Sequence, residues 1–249
     1  MQATEHKIKH YYQPTPNTCG YAALAILLSH YNHDLEITPQ DLIVSVPQPK
    51  DADGKPTGSV TAQLASWCLS RGYSLDFYSF DCQILDLSWE GLETESLIER
   101  LEAVKDLRHV LSLGEKYWSQ VYVQAYIDML RAGGTLQISA HITSQQLYNL
   151  LANGPIHVNI CSATVHNQGR FTYPKPNERL AVPDDENGTV GTHSVVVYGN
   201  DEQGNFLVAD PWEGLETINA ETMICGITAA QIECDNQCFQ ITERVSTHS

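Results

Sequence analysis

The chain has no run of about 18 apolar residues, no cluster of basic residues, no internal repeat and no low-complexity tract. The first absence excludes a transmembrane helix, so no membrane partner is expected. The second excludes nucleic acid, because binding phosphate needs clustered Lys and Arg to displace counterions. Lys and Arg number only 14 against 30 Asp and Glu, for a net charge of −16. That imbalance favours solubility and substrates that carry positive charge. Residues 1–13 contain basic side chains with no apolar stretch behind them, so no signal peptide is expected and the cytoplasm is the expected location. Seven cysteines, an odd number without framework spacing, read as reduced thiols in a reducing compartment.

What is there is enough for a folded core. The 249 residues are 42% hydrophobic and 18% charged, neither a disordered chain nor a coiled coil. The segment from Cys19 to His30 is rich in Ala and Leu and apolar nearly all round, with Pro14 and Pro16 ending just before it. It predicts a buried central helix. Thr38-Pro39-Gln40-Asp41 is a capping box with proline in the first turn, and a third helix is predicted from Ser59 to about Arg71-Gly72. Residues 73–80 alternate and are aromatic, which predicts a strand. Between Glu93 and Ala132 the period turns helical, through Leu97, Leu101, Val104, Leu107 and Val110 and then from about Tyr117 to Arg131. Thr143 to Gln146 is a second capping box. Downstream the pattern becomes β: Pro155–Cys161, His193–Gly199, Asn205–Asp210 and Cys238–Thr242, with a hairpin turn over 200–204 and a long loop from Gln168 to Gly191. Helices first and sheet last predict an α+β protein in one domain over 1–249, with a helical insertion at about 83–135.

Cys19 is the cysteine in a chemically special place. Unpaired N–H groups and the helix dipole at a helix start favour a thiolate, so a lowered pKa and a nucleophilic sulfur are expected. The alternative is that Cys19 is a small apolar residue of an Ala/Leu helix. Three features favour the first reading. Gln13, in a Pro-rich loop six residues before, can bring a carboxamide to the helix start, where it and the Cys19 N–H could donate to a developing oxyanion. His193 opens an apolar strand, and strands seldom begin with His for packing reasons alone. Asp210 ends the next strand, so a hairpin turning at 200–204 brings it to one ring nitrogen of His193 while the other faces Cys19.

The run Gln13-Pro14-Thr15-Pro16-Asn17-Thr18-Cys19-Gly20-Tyr21-Ala22-Ala23-Leu24 resembles the Gln-x5-Cys-Gly-x-Ala-(Ala/Cys)-Leu opening of the C39-like cysteine peptidases, which have a papain-like fold. Gly154 to Val158, Thr192 to Gly199 and Val208 to Pro211 look like that family's strand, histidine and Asp-Pro segments, in the same order. The resemblance spans Gln13 to Trp212, without a counterpart for roughly 81 to 140, and is nearest to the family's stand-alone bacterial branch. It implies a helical half and an antiparallel β half with the active site between them. It also implies Cys19 as nucleophile, His193 as base and then acid, Asp210 as orienter and Gln13 as oxyanion donor. Gly20, Thr192 and Trp212 are the expected substrate contacts. A peptide or small protein is the implied substrate, and neither cofactor nor metal is called for. Acyl transfer through the same thioester, or a non-catalytic papain-like shell that binds a peptide, are the rival readings.

Other features carry less. Cys225, Cys234 and Cys238 lack the paired spacing and fourth ligand of a zinc site. His30 and His33 sit at a fraying helix end. His141 and His157 read as satisfied edge or core residues. His166, in the long loop, is the second candidate base, but no acidic partner follows it at hairpin distance. Asp184-Asp185-Glu186 is a solvated loop or a patch for basic substrate residues, Asn187-Gly188-Thr189 is a turn, and Trp212 reads either as a shield of the Asp–His bond from water or as ordinary core.

Overall fold

A computed structural model describes residues 2–32, 36–50, 58–107, 116–172, 181–233 and 236–244. The helices and the largely antiparallel sheet of an α+β protein are both there. In chain order the elements are β1 (Thr4–Glu5), α1 (Cys19–Tyr31), α2 (Pro39–Ser45), α3 (Thr61–Ser70), β2 (Tyr73–Ser79), α4 (Thr94–Val104), α5 (Lys116–Arg131) and β3 (Thr135–Ile138). They continue with α6 (Ser144–Leu151), β4 (Ile156–Cys161), α7 (Ser162–His166), β5 (Phe171–Thr172), β6 (Val182–Pro183), β7 (Thr192–Asn200), β8 (Phe206–Asp210), β9 (Gly214–Ile218), α8 (Ala220–Ala229) and β10 (Gln237–Arg244).

Seven strands run in the order β3-β2-β10-β4-β7-β8-β9, with β1 added alongside β7, and only β2 and β3 are parallel. Alternation along the strands gives the sheet two apolar faces. Val196, Tyr198, Phe239 and Ile241 point to one face, where α1 to α5 pack. Val195, Val197, Val158 and Cys238 point to the other, where α6 and α8 pack. The central strand β4 is buried at every position. The helical part is therefore packed onto the sheet rather than standing beside it.

Helix α1 is buried from Gly20 to Leu28, in agreement with its apolar circumference. Each of its fully buried Leu and Ile side chains contributes about 1.5–3 kcal/mol. Both predicted capping boxes form. Thr38 accepts from the Asp41 N–H and Thr143 from the Gln146 N–H, and each partner side chain returns a bond to the cap backbone. Helix α3 ends at Gly72, whose φ of 80° is the left-handed stop that its position predicts. Leu97 and Leu101 face the core, while Leu107 lies beyond the end of α4 and is 45% exposed; Val110 lies outside the described residues.

The segment from 80 to 134 leaves β2 and returns as its neighbour β3, which makes it a crossover between two parallel strands. Its helices share the main core through Leu101, Val123, Tyr126 and Leu130. Strands β3 and β9 and helix α8 are additions to the sequence reading. Short alternating segments such as Thr135–Ile138 and Gly214–Ile218 give too few periods to stand out. Among the described residues no helix is long and apolar enough to cross a membrane.

Candidate active site

The hairpin turns where the sequence indicates. The Asp201 carboxylate accepts the Asn205 N–H at 2.8 Å, and Gly204 takes a φ of 84°. Strands β7 and β8 pair with Val196 opposite Ala209. Continuing that register sets Asp210 across from Val195, so His193 lies diagonal to it on the same face. His193 Nε2 and Asp210 Oδ1 are 2.7 Å apart, with Asp210 fully buried and His193 nearly so. The Trp212 and Glu213 N–H groups also donate to Oδ1, at 2.6 and 3.1 Å, fixing the carboxylate from the turn that follows it.

The N-terminal segment brings Cys19 to this hairpin. Residues 4–6 pair with the end of β7, from Thr4 opposite Asn200 to the His6 N–H on the Tyr198 carbonyl, and the segment then reaches the turn after β8, where the Gln13 N–H bonds the Pro211 carbonyl at 2.9 Å. His10 Nε2 meets the Asp210 carbonyl at 2.8 Å on the way. The chain then turns through Thr15 and Thr18, whose hydroxyl donates to the Thr15 carbonyl. Helix α1 consequently starts at Cys19 with no side-chain cap and no acidic residue in its first turn. Cys19 is half-buried and interacts with His193 closely enough to raise its pKa. Since Nε2 is engaged with Asp210, Nδ1 is the nitrogen left for the sulfur. Burial disfavours the His193 imidazolium, but the Asp210 charge and hydrogen bond, then the Cys19 contact, outweigh it and raise its pKa well above the ordinary 6.5. Burial likewise works against ionised Asp210, yet His193, then the bond from His166, hold its carboxyl far below the usual range.

Cys19, His193 and Asp210 line one cleft of about 850 Å³, together with Gln13, Thr192 and Trp212. Ile84 and Tyr122, from the crossover, and Arg170 and Phe171, from the long loop, form other parts of its wall. Two expectations meet a different geometry. Gln13 is buried, and its carboxamide donates to the Thr15 and Pro16 carbonyls at 2.8 and 3.0 Å, so both hydrogens are taken up by its own loop. Gly20 does not line the cleft. Its α-carbon sits against α3, where an added methyl would come within 1.9 Å of Ser59 Oγ. The close approach of two segments, with Ser59 Cβ and Leu64 Cδ1 also at 3.1 Å, favours a small residue there. Trp212 lines the cleft as expected, and its backbone N–H holds Asp210.

His166 is the residue that sequence reasoning undervalued. It closes α7, where Asn167 at φ 51° turns the chain, and its Nε2 lies 3.2 Å from Asp210 Oδ2. Its Nδ1 is 3.6 Å from Glu216 on β9. The acidic partners absent from its sequence neighbourhood arrive through the sheet. The ligand-type atoms of His166, Asp210 and Glu216 lie within 4.8 Å of one another, a grouping able in principle to hold a metal ion. Each is already engaged, however: Asp210 with two imidazoles and two N–H groups, and His166 on both sides. That is the pattern of a proton-linked network.

The residues set aside from the sequence behave variously. His157 is fully buried and stacked on Phe239, but neither ring nitrogen has a hydrogen-bond partner, which corrects the expectation of a satisfied core histidine. His141 is exposed, and His30 meets the Lys7 carbonyl. Cys225 is exposed and Cys238 buried in β10, while Cys234 and His33 lie outside the described residues. The Asp184 carboxylate caps its own turn by accepting the Asn187 N–H, and none of Asp184, Asp185 and Glu186 lines the cleft.

No family model matches the chain, and no curated protein does. Among solved structures it is similar to the crystal structure of a "putative C39-like peptidase" from Bacillus anthracis, at 11% sequence identity and a TM-score of 0.46, with 99% of this chain and 100% of that chain covered. At so distant a likeness, a functional reading rests on the residues of the cleft themselves.

Proposed function

We propose that this chain is a papain-like cysteine peptidase that hydrolyses peptide amide bonds through Cys19, His193 and Asp210. The observation that carries the reading is the chain of contacts from Cys19 to His193 to the buried Asp210, at one wall of an open cleft. A structural ion pair has no need of a half-buried thiol at an uncapped helix start.

In this reading the helix dipole and the His193 imidazolium favour the Cys19 thiolate. The thiolate attacks the carbonyl carbon of a bound peptide, and the oxyanion that forms is met by the Cys19 N–H. Gln13 becomes a second donor once its carboxamide turns from one of the loop carbonyls. As the C–N bond breaks, His193 gives its proton to the leaving amine, and a thioester remains on Cys19. His193 then takes a proton from water, the hydroxide adds to the thioester, and the carboxylate product leaves as the thiol is restored. Asp210 keeps its charge throughout, orienting the ring and balancing the imidazolium.

The test is cleavage of a peptide library at neutral pH, read as new termini by mass spectrometry, with wild type and Cys19→Ala. Wild type is expected to cut and the variant to be silent. Iodoacetamide supplies a substrate-independent check, with the exposed thiols Cys82 and Cys225 as internal standards. Cys19 is expected to react fastest below pH 7 and to slow in His193→Ala. No cleavage, together with Cys19 alkylating no faster than those two, would refute the reading and leave a peptide-binding shell.

A further inference from the structure

Asp210 serves two histidines. Its Oδ1 meets His193 at 2.7 Å, and its Oδ2 meets His166 at 3.2 Å. The Oδ1 side is further fixed by two backbone N–H groups, whereas His166 is the only described contact of Oδ2. Rotation of the carboxylate about its Cβ–Cγ bond is thus restrained from both ends, and His166 supplies one of them. His166 also stands between Asp210 and Glu216, so a continuous series of titratable groups runs from a partly exposed carboxylate to the thiol: Glu216, His166, Asp210, His193, Cys19.

We propose that His166 is a positioning residue for the catalytic hairpin, holding Asp210 through Oδ2 and, by its own charge, making thiolate formation at Cys19 depend on the protonation of a second imidazole. The proposal rests on the cysteine-peptidase reading and extends it. Two positive rings against one carboxylate repel each other. While His166 is protonated, the His193 imidazolium and hence the Cys19–His193 ion pair are disfavoured. Loss of the His166 proton relieves that repulsion, and the thiolate population rises.

The groups that face His166 are Asp210 of β8, Glu216 of β9 and His193 of β7. Helix α8 and strand β4, against which α7 packs, put no charged side chain against the ring among the described residues. Burial works against the His166 imidazolium, but Asp210, then Glu216, overcome it and set its titration above the ordinary 6.5. Glu216 is itself raised by burial and lowered by His166, with Glu213 acting on it from the connecting turn.

The experiment is the rate of Cys19 alkylation by iodoacetamide across pH, followed on the Cys19 peptide by mass spectrometry. Wild type, His166→Ala, His166→Gln and Glu216→Gln are compared. In wild type the rate should rise in two steps, the second as His166 loses its proton. His166→Ala removes both bond and charge, and its plateau should fall roughly 10-fold, the equivalent of about one pKa unit at His193. His166→Gln keeps an N–H donor where Nε2 stood. It should restore the plateau and lack the second step. Glu216 hydrogen-bonds neither Asp210 nor His193, and Glu216→Gln should move the second step about one pH unit lower by removing an anion beside His166.

A merely structural histidine would give His166→Ala and His166→Gln the same loss, with both steps in place, and would leave the Glu216→Gln profile unmoved; either result overturns the proposal. Should His166→Ala fail to fold, the Gln variants still decide. If wild-type Cys19 reacts no faster than Cys82 at any pH, the peptidase reading falls and this proposal falls with it. If wild-type Cys19 is fast and the variants show no difference, this proposal alone falls.

Discussion

His157 should make the fold sensitive to acid in a way that can be calculated. Its ring is fully buried on one face of the sheet, stacked on its cross-strand neighbour Phe239 of β10 with centroids 4.7 Å apart, and both nitrogens lack partners. Burial pushes its pKa down from 6.5 to about 3. Between those values the unfolded chain binds a proton that the folded chain refuses, so stability is complete above the unfolded pKa and declines as pH falls through it. From those two values the loss is about 3 kcal/mol at pH 4.5, approaching roughly 5 kcal/mol below pH 3. The perturbation is His157→Phe, which keeps a flat ring for the stack and removes the titration. Urea unfolding of wild type and variant near pH 7 and pH 4.5 reads the effect. Any packing offset appears at both pH values, and other acid-sensitive groups are common to both proteins. The stability difference should therefore shift in the variant's favour by about 2–3 kcal/mol on acidification. Parallel pH dependence would refute the reasoning, since it would mean that the ring is hydrated or paired in solution.

Asp210→Asn should keep an acceptor for His193 but place an N–H against His166 and delete the charge. Peptide turnover is expected to drop on the order of 10³-fold or more, and Cys19 alkylation at low pH to slow, as measured by steady-state kinetics and iodoacetamide labelling. Asn159 bridges Thr61 of α3, at 2.7 Å, and Ser194, the neighbour of His193, at 2.8 Å. Asn159→Ala strands two buried hydroxyls and should cost about 2–4 kcal/mol in chemical denaturation. Gly20→Ala drives a methyl into Ser59 and should destabilise the protein by about 1–3 kcal/mol, and adding Ser59→Gly should recover most of that if the clash is the cause.

The sequence made local features plain. The two capping boxes, the apolar helix beginning at Cys19 and the hairpin at 201–204 all depend on residues within a few positions of one another, and the structure has them. His193 and Asp210 were legible for the same reason: a tight hairpin converts sequence spacing into contact. His166 was not legible, because its two carboxylates come from β8 and β9 and only the strand order brings them to the end of α7. The partners of Gln13 were equally hidden. Whether a carboxamide faces a cleft or its own loop depends on backbone angles that composition does not encode. The burial of His157 without partners could not be foreseen either, since the strand that pairs with it and supplies Phe239, β10, lies far along the chain.

The crossover leaves and rejoins the sheet at β2 and β3, whereas the hairpin bearing His193 and Asp210 stands across the sheet, beyond β10 and β4. Yet the same crossover lends Ile84 and Tyr122 to the wall of the cleft. Lengthening, trimming or exchanging that excursion would reshape what the groove admits while leaving the reactive trio in register. On the peptidase reading proposed above, selectivity can drift without disturbing reactivity, and a graft of residues 80–134 between related chains would be expected to carry its donor's taste for substrate along with it.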